Sequence, residues 1–192
     1  MCAATRACVR TYQEEVIQAL RRVAPHLHVH QPNSSATLAQ QLRPVATADV
    51  VVSLHGAHAA SVAFMRPGAT FVELFPWQFY YALWPTALPR CGVRAVALRD
   101  NGVEVSQLSP LQQRLHAKVM RKVRQLESDP RRAGRRVVLD TSQQGPEHRK
   151  LRIFLRGLPV RVNVPALEAT VADAVTRARA ARLRVTRAQD IP

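Results

Sequence analysis

The sequence predicts an α/β protein: a Rossmann-like parallel sheet with flanking helices, followed by a basic helical and loop extension. Three observations carry that prediction. Val50, Val51, Val52 and Leu54 form a short, nearly continuous β-branched run of the kind buried on both faces of a parallel sheet. Two further apolar runs follow, Thr70 to Phe75 after a Pro67-Gly68 turn and Val93 to Leu98 beyond that. The first two runs are separated by a stretch of helical composition, Ala57 to Met65, and the gap of roughly 14 residues is near the minimum that a parallel crossover requires.

The chain has 192 residues, 47% of them apolar, enough for one ordinary core with appended segments. Its boundaries read as a lobe over 11–100, a basic helix and flexible linker over 101–150, and a C-terminal strand and helix over 151–192 that packs back on the lobe. Thr11 and Glu14 form a capping box ahead of Val16, Ile17, Leu20 and Val23, which predicts a first helix from Thr11 to Val23. Pro25 ends it, and the alternation in Leu27 to His30 suggests a short strand. Asn33, Ser34 and Ser35 are candidate caps for a helix through Leu38 and Leu42 up to Pro44.

After the second strand, the aromatic stretch Trp77 to Leu83 reads as a short helix closed by Pro85. Ser109-Pro110 opens a strongly basic helix to about Leu126. Asp129 to Arg136 reads as a solvated loop, Val137 to Asp140 as a strand, 141–150 as polar loop, and Leu158 to Val164 as an edge strand. A final helix runs from Ala166 to about Leu183, with Leu167, Val171, Val175 and Ala178 on one face.

No run of about 18 apolar residues occurs, so no transmembrane segment is expected, and the first ten residues lack the apolar stretch of a secretory leader. Cys2, Cys8 and Cys91 form no CxxC pair and define neither a metal site nor a disulfide framework. The formal charge is +15, most of it carried by the second half, a field that attracts acidic or phosphate-bearing partners without choosing among them.

The candidate site lies at the carboxyl ends of the strands, where open α/β sheets bind ligands and where a helix N-terminus can hold an anion. His55 and Gly56 stand at that junction. Gly56 has no Cβ, so a phosphate oxygen can approach the backbone, and His55 can donate a hydrogen bond to it. His58 is a second candidate donor. Glu73, 18 residues after His55, stands near the end of the next strand, where a carboxylate can accept from two ribose hydroxyls. Trp77 or Tyr80 would border the base.

The segment ADVVVSLHGAHAASVAFMRPGATFVELFP, residues 48–76, resembles the signature of glycosyltransferase family 61, whose members read approximately ADVVVGVHGAGLTNMLFMPPGAVVVELFP. That family includes plant xylan-decorating transferases and animal O-linked N-acetylglucosaminyltransferases. A looser similarity runs from Tyr12 to Leu98, with Glu14-Glu15-Val16 at the place of a family helix. The resemblance implies the C-terminal, donor-binding lobe of a GT-B type enzyme. It further implies a nucleotide-sugar donor, a UDP-sugar, held by His55, Gly56, Ala57, His58 and Glu73; a glycan or glycoprotein acceptor; inverting transfer without a metal; and residence in the Golgi or endoplasmic reticulum lumen. HGAHAAS stands where the family has HGAGLTN, so His58 replaces the second glycine and Ser61 the asparagine. Neither the family's upstream arginine-bearing strand nor its acceptor lobe is represented, so no catalytic residue is assigned and the chain reads as incomplete alone.

Other sites compete poorly. His26, His28 and His30 alternate but have no carboxylate or cysteine beside them for zinc. Ser53 and Ser61 lack the G-x-S-x-G elbow of a serine hydrolase. The rival reading is a nucleic-acid or protein-interaction module using Arg114, Lys118, Arg121, Lys122 and Arg124, with Arg131, Arg132, Arg135 and Arg136 after them. That tract has no interleaved aromatics for stacking bases.

Overall fold

The computed structural model describes residues 4–30, 35–99, 101–130 and 146–189. At its centre β1 (Val50–Leu54), β2 (Thr70–Leu74) and β3 (Arg94–Leu98) form a parallel sheet in that order, with Val52 opposite Val72 and Val72 opposite Val96. All three strands fall on the predicted runs. β2 is central and buried along its whole length, which is why Thr-Phe-Val-Glu-Leu has no simple apolar–polar alternation. The ladder continues past the strands: the His55 N–H donates to the Leu74 carbonyl at 2.9 Å and the Phe75 N–H to the Leu98 carbonyl at 2.9 Å.

The period of two divides the sheet into two faces. Val50, Val52, Val72, Leu74, Val96 and Leu98 meet Leu20 of α1 (Ala4–Val23) and Leu167 and Val171 of α6 (Val164–Gln189). Val51, Phe71 and Ala95 meet Ala59 and Val62 of the segment Ala57–Phe64, together with Met65, Leu88 and Val45 of α2 (Leu38–Thr47). Helical layers thus cover both faces, the arrangement a parallel sheet needs.

The crossover between β1 and β2 is helical as read from the sequence, and it is a 3₁₀ helix, Ala57–Phe64, rather than an α-helix. Length explains the difference. The crossover must retrace a five-residue strand of about 16 Å, and eight residues cover about 16 Å at the 3₁₀ rise but only about 12 Å at the α rise. The tighter helix reaches back without extra residues.

Other expectations are corrected. Leu27 to His30 is not a strand; it has no pairing partner among the described residues, and His28, Val29 and His30 are exposed. α2 is capped by Thr37 in a capping box with Gln40, the Gln40 N–H donating to Thr37 Oγ1 at 3.3 Å. The expected caps Asn33 and Ser34 lie outside the described residues, and Ser35 is not the cap. α2 also continues past Pro44 to Thr47, because the packing of Val45 against the sheet-facing cluster offsets the backbone bond that proline cannot donate. The aromatic stretch after β2 is a turn and irregular chain rather than a helix. The helix there is α3 (Leu83–Ala87), which tolerates Pro85 because first-turn N–H groups have no intrahelical acceptor.

Beyond the sheet, α4 (Pro110–Glu127) begins at Ser109 with a capping box to Gln112. α5 (Pro146–Arg156) occupies part of the predicted polar loop, and only β5 (Val160–Arg161) of the predicted edge strand is paired, antiparallel to β4 (Gly102–Val103). The predicted strand Val137 to Asp140 lies outside the described residues. Phe75 and Phe79 form a third core with Leu108, Val123 of α4 and Leu155 of α5. Arg114, Lys118, Arg121, Lys122 and Arg124 are all exposed on the opposite side of α4, the position of a solvated face.

Candidate functional site

The carboxyl ends of β1 and β2 bring His55 and Glu73 together. His55 Nδ1 and Glu73 Oε1 are 2.7 Å apart, and the two side chains are 10% and 1% exposed. Glu73 was expected to face a ribose, but its carboxylate is turned into the protein, and its second oxygen, Oε2, has no hydrogen-bond partner among the described residues. The register accounts for the contact. Ser53 is aligned with Glu73, and His55, two residues further on, projects to the same face.

Aromatic rings hold the imidazole in place. His55 stacks on Phe75 at 5.0 Å, Phe79 lies 4.9 Å away, and Tyr81 presents its edge at 6.2 Å. Phe79 reaches this position through the turn Pro76–Phe79, in which the Phe79 N–H donates to the Pro76 carbonyl at 3.0 Å and Gln78 takes φ 57°. A non-glycine residue in the left-handed region is strained, and here the strain returns the chain over His55.

Gly56 precedes the 3₁₀ helix with no side-chain cap. In an i→i+3 helix the N–H groups of Ala57 and His58 have no intrahelical acceptor, and they open the helix directly after His55. The contacts expected of the Ala57 and His58 side chains lie outside what is described.

Arg99 was not singled out in the sequence. It stands at the carboxyl end of β3, with its guanidinium 3.6 Å from the centre of the Tyr80 ring. Tyr80 packs on Phe75 at 5.1 Å, so a cation, two aromatic rings and His55 follow one another along one edge of the sheet. Its signal was position alone: a basic residue immediately after the third apolar run. Trp77 instead meets His116 of α4 at 5.0 Å, and burial holds the His116 imidazole below the usual histidine range.

Asn101 fixes the strand ends to the C-terminal segment. Its Nδ2 donates to the Phe75 carbonyl at 2.8 Å and the Leu98 carbonyl at 2.9 Å, and its Oδ1 accepts from the Asn163 N–H at 3.0 Å. Among the described residues no group of three or more His, Cys, Asp or Glu side chains is gathered for a metal, and no helix is long and apolar enough to cross a membrane.

The fold and this site define an α/β protein with its candidate site at the carboxyl edge of a parallel sheet, beside an uncapped helix start. Residues 11–72, about a third of the chain, match the family model described as Glycosyltransferase 61. Over those residues the chain is similar to glycosyltransferase family 61. No curated protein matches the chain.

Proposed function

We propose that this chain is the donor-binding part of a glycosyltransferase, taking a nucleotide-sugar, a UDP-sugar, whose diphosphate lies against His55, Gly56, Ala57 and His58, with Glu73 behind them. The observation that supports this reading most is the position of His55: at the end of β1, directly before Gly56 and the uncapped start of the 3₁₀ helix. A helix start with no side-chain cap, with an imidazole directly before it, suits a phosphate. Arg99 supplies a cation at the same edge, the role for which no upstream arginine was found in the sequence. In this reading the domain is the C-terminal lobe of a GT-B type enzyme. Transfer to a glycan or glycoprotein acceptor is inverting and needs no metal, the acceptor site and catalytic base belong to a second lobe, and the protein works in the Golgi or endoplasmic reticulum lumen.

Calorimetric titration with UDP, UDP-N-acetylglucosamine, UDP-xylose and a short DNA duplex, at about 150 mM salt to suppress nonspecific charge attraction, tests this. Saturable UDP binding that weakens in Arg99→Ala and is lost in His55→Gln is the expected result. DNA binding without UDP binding would overturn it in favour of the basic face of α4.

A further inference from the structure

We propose that Glu73 is a positioning residue that acts through His55, and that the two side chains share a single proton, so that His55 Nε2 presents an N–H to the bound phosphate. The inference rests on the donor-site reading above and assigns Glu73 to the imidazole rather than to the sugar. Three observations carry it: the 2.7 Å contact between Nδ1 and Oε1, the 1% exposure of the carboxylate, and the absence of a partner for Oε2 among the described residues.

Charge balance sets the number of protons on the pair. If the imidazole were neutral and the carboxylate ionised, the pair would carry a full negative charge, with one oxygen unpartnered and aromatic rings packed on the imidazole. An uncompensated buried charge is strongly disfavoured. One additional proton removes it, and the proton has two possible places. Either imidazolium faces carboxylate, or a carboxylic acid donates to Nδ1 of a neutral imidazole. Both leave Nε2 protonated, because Nδ1 is engaged with Glu73 in each. The bare-lone-pair form, in which Nε2 would act as a base and repel a phosphate oxygen, belongs only to the charged pair. Among the described residues, the titratable groups against the ring are Glu73 from β2 and the Tyr81 phenol at its edge; Arg99 lies beyond Phe75, over Tyr80.

Long-range proton–nitrogen NMR of the uniformly ¹⁵N-labelled chain at neutral pH, with and without UDP, reads this directly. The expected spectrum shows a protonated Nε2 in the free protein, a downfield Nδ1-side proton in the hydrogen bond to Glu73, and a shift of the Nε2 resonance on adding UDP. In Glu73→Gln the downfield proton is expected to disappear while the circular dichroism spectrum is retained, and UDP affinity to fall at least about tenfold, the loss of one charge-assisted contact. An unprotonated Nε2 overturns the shared proton whether or not UDP binds. A protonated Nε2 that UDP leaves unmoved overturns the donor contact instead. Retention of the downfield proton in Glu73→Gln overturns the role of Glu73.

Discussion

Removing His55 alone strands the Glu73 carboxylate in an apolar setting. His55→Ala is therefore expected to cost about 1–3 kcal/mol of stability, the range for leaving a buried polar group without its partner, whereas His55→Phe/Glu73→Leu together is expected to be close to neutral. Urea unfolding of both variants checks this. Asn101 makes a second residue-scale prediction. Asn101→Ala leaves the buried Phe75 carbonyl without that donor and is expected to cost about 2 kcal/mol, read by the same measurement. His55, Gly56 and Glu73 were all legible as candidate residues in the sequence. Their pairing was not, because it depends on strand register: the same Glu73 would reach outward if β2 slipped by one residue against β1. Phe79 and Tyr81 escaped notice as neighbours of His55 because a left-handed glutamine, not a glycine or asparagine, makes the turn that returns them.

Among the elements, α4 joins the site to the rest of the molecule through His116 and Trp77. Burial lowers the His116 affinity for a proton in the folded state, so the unfolded chain takes up that proton first. Stability is then full above the ordinary histidine range and declines as pH falls through it toward the folded value. The melting temperature is expected to drop between about pH 7.5 and 5.5, and His116→Phe, which keeps a ring beside Trp77, is expected to reduce that drop. Ser109→Ala, which removes the N-cap of α4, is expected to cost about 1 kcal/mol, again by denaturant unfolding. α4 was legible because Ser109, Pro110 and Gln112 state its start chemically. α5 was not: its apolar residues Leu151, Ile153, Phe154 and Leu155 crowd into its second half amid arginine and lysine, and Ile153 is exposed. β4 and β5, two residues each, are too short to establish any period.

For the molecule as a whole, the three short apolar-rich runs and their spacing were enough to predict the parallel sheet, since runs of about five residues between turn signals leave few alternatives. The third core was not predicted, because it joins Phe75 to residues about 80 positions later in the chain and no local pattern reports such a distance. A formal charge of +15 repels itself. The melting temperature is therefore expected to rise as salt is raised from about 0.05 to 0.3 M, which shortens the screening length from roughly 14 to 6 Å. The 3₁₀ crossover has a consequence for sequence change. Eight residues at the 3₁₀ rise already match the strand they must retrace, so the helical part of the link has no slack. Deleting one residue there would pull Ala59 and Val62 off the sheet or drag His55 away from Glu73, while inserting one would rotate every later side chain of the helix by about a third of a turn. Length variation among natural relatives is therefore expected to fall outside this segment.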